Sequence, residues 1–533
     1  MSQEKGGFWL HLIQIVLAVL VGILITLTFI KARENRFERK VRYQDWQKLN
    51  VILGEVEKAY VDTIKVKEMT DAAIVAALHE LDPHSVYLPP VDLENSEADL
   101  AGDFEGIGIQ FNVPNDTAIV LEVIPGGPSE KVGLLPGDRI LKVDSTVIAG
   151  VKFPQDSMVR RMKGPAGTRV KITVRRERET IPFDITRGKI PMHSIDAYFM
   201  LNDTTGYIRL AKFSVSTYKE FREASAALMD KGMTRLIFDV RDNAGGYFEQ
   251  ACLLSNAFLE RGDTIVYLEG RRRRREVTLA DGRGTLKDVR LTVLVNENSA
   301  SSSEIFAGAI QDNDRGVIVG RRTFGKGLVQ EPLYFSDGSG LRLTVARFYT
   351  PSGRCIQKPY TSDYEYDIYR RYARGEVFCA DSVRLDSSDV HKTSLGRIVL
   401  GGGGIMPDVF VPMDTTRATP FFQKCNKKAT QMRFAAAMFD KYRKQLLVID
   451  DEAALDRFIQ GAGLPGQFRS FAETRDGITA GDAEWKETLP YLEPQINALV
   501  SRYSRLGENA FYKYYLPIDE TIKAALESPS TVR

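Results

Sequence analysis

Strand-like and helix-like segments alternate through residues 205–350, and this alternation constrains the fold more than any other feature of the chain. The strand-like runs are short, apolar and bounded by turn residues: Gly206–Leu210, Leu236–Val240, Thr264–Leu268, Leu291–Val295 and Val317–Gly320. Helical runs lie between them at Thr217–Lys231, Phe248–Glu260 and Ser303–Gln311. Strands that alternate with helices pair in parallel in α/β domains. We therefore predict an α/β domain, with a further long strand at Leu341–Tyr349.

The segments on either side of this domain have different patterns. Residues 44–81 have helical spacing, residues 103–188 are short β-runs with glycine turns, and the chain from Pro420 is mostly helical. We therefore predict a multidomain α/β protein. Its parts are an N-terminal tail (1–6), an apolar segment (7–30), a helical region (31–100), a β-rich module (101–188), an α/β domain (189–412) with a polar surface insertion near 360–395, and a helical region (413–533).

The segment Gly7–Ile30 has no charged residue and is long enough to cross a bilayer as a helix. Lys31 follows it directly, without the small-residue cleavage site of a signal peptide. We predict an uncleaved transmembrane anchor rather than a buried soluble helix. Basic residues are concentrated after the span, which taken alone favours a cytoplasmic C-terminal part, but long domains translocate largely regardless of charge.

Composition excludes several classes of protein. The 72 basic and 70 acidic residues give a net charge of +2, which argues against a dedicated nucleic-acid binder. The four cysteines form no CxxC pair and the five histidines form no HExxH motif, so a disulfide scaffold and a zinc site are disfavoured. We predict no metal and no cofactor.

Three polar segments stand where apolar strands end. Asn298–Glu304 opens a helix, where free N–H groups can stabilise an oxyanion, although Ser302 or Ser303 can equally be a simple N-cap. Lys326 lies between two glycines after a strand; if it is partly buried, its lowered pKa lets it accept a proton from a serine, whereas an exposed turn lysine would do nothing. Asp239–Gly246 ends in two glycines whose N–H groups can point at an anion, or is a plain turn.

The segment Gly320–Gly327 also matches the G-x4-G-K pattern of a phosphate-binding loop. Such a loop next needs Ser or Thr for magnesium and then a helix. Here Gly327 takes that place and Leu328–Pro332 cannot begin a long helix. Nucleotide hydrolysis is therefore disfavoured.

Six segments in order resemble the carboxyl-terminal processing protease family, also called the tail-specific proteases. They are Leu81–Leu88 (LDPHSVYL), the β-rich module, the DVRDNAGG turn, Asn296–Asp312, Gly320–Gln330 and Gly403–Val409 (GGIMPDV). The resemblance covers residues 44–412, and the C-terminal helical region matches nothing we can name. It implies a catalytic α/β domain of the crotonase or Clp-protease type and a PDZ domain in the β-rich module.

The resemblance assigns catalytic residues by position. The second serine of S-A-S, the family nucleophile, is Ser301, and the lysine of F-G-K-G, the family base, is Lys326, 25 residues on. Gln330 corresponds to the glutamine that orients the lysine. These assignments imply a Ser-Lys dyad.

The oxyanion donors implied by the resemblance are the backbone N–H of Ser302 and that of Gly245 or Gly246. Many relatives have alanine at the position of Ser302. Because the donor is a backbone group, we expect the serine to cause no loss.

The peptide-binding residues implied by the resemblance lie in the β-rich module. The N–H groups of Gly106, Ile107, Gly108 and Ile109 would hold the terminal carboxylate of a bound tail, with Ile107 and Ile109 in an apolar pocket. The tail would add as a strand beside Ile107–Phe111. A PDZ domain that only packs as a regulatory lid is the alternative.

The resemblance thus implies a membrane-anchored serine endopeptidase that binds C-terminal tails of proteins and cuts upstream through an acyl-enzyme. The family's catalytic part lies in the bacterial envelope, which implies an inner-membrane protein that faces the periplasm. A non-catalytic PDZ scaffold is the alternative, disfavoured because Ser301, Lys326 and Gln330 are all present. A histidine-based hydrolase is disfavoured because no histidine lies between His193 and His391. A homo-oligomer or a regulatory partner protein is compatible with the helical flanks, although no heptad pattern supports one.

Overall fold

The computed structural model describes residues 16–28, 45–113, 116–361, 364–384, 388–414 and 419–529. The chain divides into two compact units, residues 1–77 and residues 78–533. In the first unit, residues 16–28 are helical with exposed apolar side chains. Two further helices follow, α1 (Asp45–Ala59) and α2 (Val66–His79).

The predicted anchor at 7–30 is described only in part. Residues 7–15 and 29–30 lie outside the described residues. Within the described part of the chain, no helix has both the length and the apolar character that crossing a membrane requires.

The predicted β-rich module is an antiparallel sheet with two short helices. Strand β1 (Val86–Leu88) and helix α3 (Pro90–Ala101) precede it. Its elements are β2 (Asp103–Gly106), β3 (Ile109–Asn112), β4 (Ala118–Val123), α4 (Pro128–Lys131), β5 (Arg139–Val143), β6 (Thr146–Val147), α5 (Gln155–Met162), β7 (Arg169–Arg176), β8 (Glu179–Thr186) and β9 (Gly188–Pro191). The sheet order is β3-β4-β5-β7-β8, so β3 is an edge strand, and β2 pairs with β9.

Alternation of side chains builds the core of this module. Along β7, Val170, Ile172 and Val174 are buried and the residues between them face outward. This two-residue period is what a sheet with one buried face requires. The buried side chains join those of β5 and of helix α5 in one cluster.

The α/β domain continues the chain in order. Its elements are β10 (Ile195–Met200), β11 (Thr205–Leu210), α6 (Thr217–Met229), β12 (Arg235–Asp239), α7 (Phe248–Asn256), β13 (Thr264–Glu269), β14 (Glu276–Leu279), β15 (Arg290–Val295), α8 (Ser302–Asp312), β16 (Val317–Gly320), β17 (Leu328–Tyr334), β18 (Gly340–Tyr349), a 3₁₀ turn (Tyr364–Tyr366), α9 (Asp367–Ala373), a second 3₁₀ turn (Ala380–Ser382), β19 (Val390–Lys392), β20 (Ile398–Leu400) and β21 (Val409–Phe410).

The predicted parallel sheet is confirmed for four of the five predicted strands. The sheet order is β10-β11-β12-β15-β16-β21, and every pair from β11 to β21 is parallel. The prediction is wrong for Thr264–Leu268, because β13 lies in a second, antiparallel sheet between β18 and β14. A short buried apolar run does not reveal which sheet it joins, since both kinds of core strand have the same pattern.

The insertion near 360–395 differs from the prediction of a surface segment. Tyr364, Arg371 and Glu376 are buried. A guanidinium or a carboxylate is buried only when it has a partner. Arg371 donates to the carbonyl of Thr323, and Glu376 accepts from Arg322. The polar composition of the insertion therefore reflects internal pairing as well as solvent contact.

The C-terminal region is helical, as its spacing predicts. The helices are α10 (Pro420–Lys427), α11 (Thr430–Leu446), α12 (Glu452–Ala462), α13 (Leu464–Asp476), α14 (Asp482–Ser501), α15 (Gly507–Tyr515) and α16 (Glu520–Glu527), with a 3₁₀ turn at Leu516–Ile518. Their buried apolar side chains form a separate core around Phe434, Phe468 and Leu492.

This helical region contacts both other parts of the second unit. Asp440 on α11 accepts from Arg139 of the β-rich module, with 3.0 Å to Nη1 and 2.5 Å to Nη2. Asp519 accepts from Arg241 of the α/β domain at 2.7 Å. The helices therefore connect the module to the α/β domain through paired charges.

Candidate active site

Ser301 lies in the connection from β15 to α8 and is the N-cap residue of that helix. Its backbone has φ +54° and ψ −113°, a conformation that non-glycine residues rarely adopt. Such strain clusters at functional sites, where the surrounding contacts enforce it. The sequence placed the N-cap at Ser302 or Ser303, whereas the structure gives that role to Ser301 itself.

The glycine turn that follows β12 packs directly on Ser301. A Cβ added to Gly245 would stand 2.8 Å from the Cβ of Ser301 and 2.8 Å from the carbonyl oxygen of Ala300. Gly245 and Gly246 also have φ of +101° and +144°, so only glycine fits both the space and the backbone. This pair of glycines thus allows two loops to meet at the serine.

Hydrogen bonds hold the glycine turn to the serine loop. Asn243 accepts from Ala300 N at 3.0 Å and from Ser303 Oγ at 2.8 Å through its backbone carbonyl. Ser302 Oγ donates to the carbonyl of Gly246 at 2.9 Å. The hydroxyl of Ser302 therefore links the two loops by a further hydrogen bond.

Two backbone N–H groups remain available beside Ser301. The N–H of Gly245 donates to Asn243 Oδ1 at 2.9 Å, so this predicted oxyanion donor is already used. The N–H groups of Gly246 and Ser302 make no hydrogen bond to any described residue. Phe213 N donates to the carbonyl of Gly245 at 3.0 Å and so fixes the peptide plane that carries the Gly246 N–H. Of the three predicted donors, Gly246 and Ser302 are therefore the two whose N–H groups are not already used by a described residue.

Lys326 lies in the connection between β16 and β17, and the carboxylate of Glu304 joins this turn to Ser301. Oε2 of Glu304 accepts from Ser301 N at 2.9 Å and from Lys326 N at 2.8 Å. Oε1 accepts from Gly325 N at 2.7 Å and from Thr323 Oγ1 at 2.5 Å. The backbones of the two predicted catalytic residues are therefore less than two hydrogen-bond lengths apart.

The surroundings of the Lys326 side chain favour its neutral form. Burial, together with Arg342 nearby, lowers the pKa of Lys326, although Glu304 and Asp82 act in the opposite direction. Nζ donates to Oε1 of Gln330 at 3.2 Å. Among the described hydrogen bonds, none joins this nitrogen to Ser301 Oγ, and its side-chain partner is Gln330.

Gln330 is held in turn by the segment that precedes β1. Its Nε2 donates to the carbonyl oxygen of His84. The His84 ring bonds the hydroxyl of Tyr364 through Nε2 at 2.7 Å. Burial lowers the pKa of His84 to about 4, so this ring is neutral at physiological pH.

The predicted peptide-binding residues lie together in the β-rich module, between β2 and the edge strand β3. Ile107 is buried in the module's core and Ile109 is partly buried against it. The carbonyls of Ile107 and Gly108 accept from Ser129 N at 3.0 Å and Ile124 N at 3.1 Å. No hydrogen bond among the described residues connects this loop, Gly106 included, to Ser301 or Lys326.

Sequence reasoning missed Glu304 and His84 as parts of the site. Glu304 stands three residues after Ser301, the S-x-x-E spacing of a capping box, which was a usable signal. His84 is more than 200 residues from Lys326 in the chain, so only the fold brings it there. In the described part of the chain, no group of three His, Cys, Asp or Glu side chains is arranged to hold a metal.

Two family profiles match the chain. The profile of peptidase family S41 matches residues 204–366, and a PDZ domain profile matches residues 106–186. The first contains Ser301 and Lys326, and the second contains Gly106 to Ile109.

Curated proteins similar to this chain are serine proteases. A probable CtpA-like serine protease of Staphylococcus haemolyticus is 31% identical over 343 residues, which are 64% of this chain and 68% of that protein. A probable CtpA-like serine protease of Staphylococcus aureus strain RF122 is 32% identical over 355 residues, 66% of this chain and 71% of that protein. A solved photosystem II D1 C-terminal processing protease is 27% identical, with a TM-score of 0.38 over 69% of this chain and 87% of that one.

Replacing Glu304 by glutamine is expected to lower the free energy of unfolding by about 2 kcal/mol. The amide nitrogen cannot accept a hydrogen bond, so the two buried donors on one carboxylate oxygen lose their acceptor. Urea denaturation of the variant and the parent measures this difference. Glu473→Gln, an exposed glutamate of α13, is the matched control and is expected to change little. Equal stability of Glu304→Gln and the parent would contradict the role of this carboxylate.

Proposed function

The chain belongs to the CtpA-like, C-terminal processing serine proteases of peptidase family S41, and from this premise we propose that it is a membrane-anchored endopeptidase with a Ser301–Lys326 dyad. In this proposal Ser301 Oγ is the nucleophile and Lys326 Nζ is the general base. Gln330 orients the base, and the N–H groups of Gly246 and Ser302 bind the oxyanion.

The proposed reaction proceeds in two halves. Neutral Lys326 takes the proton of Ser301 while Oγ attacks the scissile carbonyl carbon, and the carbonyl oxygen becomes the bound oxyanion. Collapse breaks the C–N bond, and Lys326 gives its proton to the leaving amine. Water then attacks the carbonyl carbon of the serine ester, and Lys326 accepts its proton. Collapse breaks the bond between this carbon and Ser301 Oγ, Lys326 returns the proton to Oγ, and the acid product leaves with both residues restored.

The observation that carries this proposal is the carboxylate of Glu304, which binds the backbone N–H of both dyad residues. It supports a fixed approach of serine and lysine, and no described residue forms an ion pair with the Lys326 side chain. Burial of that side chain supports the neutral form that a base needs. In the present arrangement Nζ contacts Gln330, and catalytic hydrogen bonds commonly tighten only when substrate binds.

Ser301→Ala and Lys326→Ala are each expected to abolish digestion of an unfolded protein by the full-length chain in detergent, because one removes the nucleophile and the other the base. The loss should reach about 10³-fold or more. Gel analysis of substrate over time measures it. Ser336→Ala and Lys392→Ala, both exposed, are the matched controls. Digestion by the two dyad variants at the parental rate would refute the dyad, and inactivity of the parent as well would favour the scaffold alternative.

We further propose that the PDZ domain binds the C-terminal tail of the substrate. β3 is an edge strand whose free side can pair with an extended peptide, and the loop from Gly106 to Ile109 precedes it. A free carboxylate is the group that backbone N–H donors in such a loop would recognise. A substrate with an apolar tail should therefore be cut faster than the same substrate with an amidated terminus. Equal rates for the two substrates would count against tail recognition.

The membrane side is also part of the proposal. The uncharged segment Gly7–Ile30 supports a single-pass anchor, and the family resemblance supports a periplasmic location for the catalytic part. An alkaline-phosphatase fusion after residue 45 should be active, because that enzyme works only outside the cytoplasm. An inactive fusion would place the catalytic part on the other side.

A further inference from the structure

The turn that carries Lys326 has no sheet partner of its own. Residues 322–327 lie between β16 and β17 and have no regular secondary structure. Their backbone groups must therefore be held by contacts from elsewhere in the chain. Glu304 holds the N–H groups of residues 325 and 326, and the inserted segment around α9 holds the part of the turn before them.

Arg371, on helix α9 of the insertion, donates hydrogen bonds to the turn that carries Lys326. Its guanidinium is buried and donates to the carbonyl of Thr323 at 2.7 Å and to that of Phe324 at 3.0 Å. Asp367 pairs with the same guanidinium at 3.0 Å. Two carbonyls within three residues of the base are thus fixed by one side chain of the insertion.

Glu376 holds the beginning of the same turn. Its two carboxylate oxygens accept from Nε and Nη2 of Arg322 at 2.6 and 2.8 Å. Both side chains are buried, so this bidentate pair is shielded from solvent. The insertion therefore binds both the side chain at the start of the turn and the backbone that follows.

Aromatic packing fixes the side chain of Phe324. The Nζ of Lys358 lies 3.9 Å from the ring centroid of Phe324 and 4.1 Å from that of Tyr364. An ammonium between two aromatic faces attracts both. Lys358 N also donates to the carbonyl of Gly325 at 3.0 Å, which adds a backbone tie one residue before the base.

The hydroxyl of Tyr364 joins the insertion to the two other supports of Lys326. It bonds His84 Nε2 at 2.7 Å and accepts from Gln357 Nε2 at 3.1 Å. Gln357 accepts from Gly327 N at 2.9 Å, and the carbonyl of His84 accepts from Gln330. The Tyr364 hydroxyl thus contacts Gln357, which holds the turn at Gly327, and His84, which holds Gln330.

We propose that the insertion is a brace for the base, and that Tyr364 and Arg371 are positioning residues that set where Lys326 stands relative to Ser301. The inference rests on the proposed Ser-Lys chemistry. A base displaced by about 1 Å can cost a hundredfold in rate, so loosening a turn without sheet partners is expected to act on catalysis more than on binding. Neither residue contacts substrate in this proposal.

The test is Tyr364→Phe in the full-length chain, which removes one hydroxyl and keeps the ring that packs on Lys358 and Phe324. We expect kcat on an unfolded substrate to fall about tenfold with KM unchanged, because the base loses its fixed position. Tyr369→Phe, at an exposed tyrosine of the helix α9 that follows Tyr364, is the matched control and should retain parental values. Arg371→Met should lower kcat further. If that variant does not fold, the result for Tyr364→Phe alone tests the proposal.

The pH profile separates positioning from a general loss of structure. Activity requires neutral Lys326, so kcat should rise with pH through a midpoint that burial places below the ordinary lysine value of 10.5. In Tyr364→Phe, the Lys326 side chain is held less firmly and is more accessible to water. Hydration then stabilises its charged form. The pKa then rises, and the midpoint should move to higher pH.

Parental kcat and an unmoved midpoint in folded Tyr364→Phe would overturn the brace. A fall in kcat with no shift of the midpoint, accompanied by a lower Tm, would reduce the role of Tyr364 to stability and also overturn it. These outcomes are distinct from failure of the dyad itself, which would appear as undiminished activity in Ser301→Ala or Lys326→Ala.

Discussion

The candidate active site depends on one buried carboxylate, that of Glu304. A carboxylate without partners would be costly to bury, and this one accepts four hydrogen bonds, two of them from the backbones of Ser301 and Lys326. It binds the N–H of the lysine residue and not its ammonium group. A direct ion pair would hold the lysine charged, whereas this contact fixes the residue and leaves burial free to lower the pKa of Nζ.

The order of the parallel sheet explains why these residues meet at all. Strands β12, β15 and β16 are neighbours and run the same way, so their carboxyl ends lie at one edge. The glycine turn follows β12, Ser301 follows β15 and the Lys326 turn follows β16. The glycine turn can then contact the Ser301 loop closely only if no side chain lies between them. Gly245 meets this condition, because it has no Cβ to collide with that of Ser301. The strained backbone of Ser301 is held between this turn and α8.

The sequence predicted those features that depend on local patterns of residues. It did not predict the contacts between residues that are distant in the chain. The period of the apolar runs predicted β11, β12, β15 and β16, and the spacing of motifs placed Ser301 and Lys326 beside the same sheet edge. It misassigned β13, because a buried run looks the same in either sheet. The capping-box spacing marks Glu304 as a partner of Ser301, but its bonds to residues 323–326 depend on the fold. Arg371 could not be recognised as buried, since its acceptors are carbonyls 47 or more positions away.

In the proposed mechanism, the contacts of Lys326 position the base without fixing it in the charged form. Its Nζ rests on the amide oxygen of Gln330, a neutral acceptor, and the amide nitrogen is anchored on the carbonyl of His84. A carboxylate in place of this amide would favour the ammonium form and weaken the base. The neutral His84 ring beside it adds no charge of either sign at physiological pH. In the proposed mechanism, Lys326 Nζ leaves one uncharged oxygen, Gln330 Oε1, and approaches another, Ser301 Oγ. This step requires movement of the lysine side chain only, because Glu304 binds the backbone N–H groups of Ser301 and Lys326.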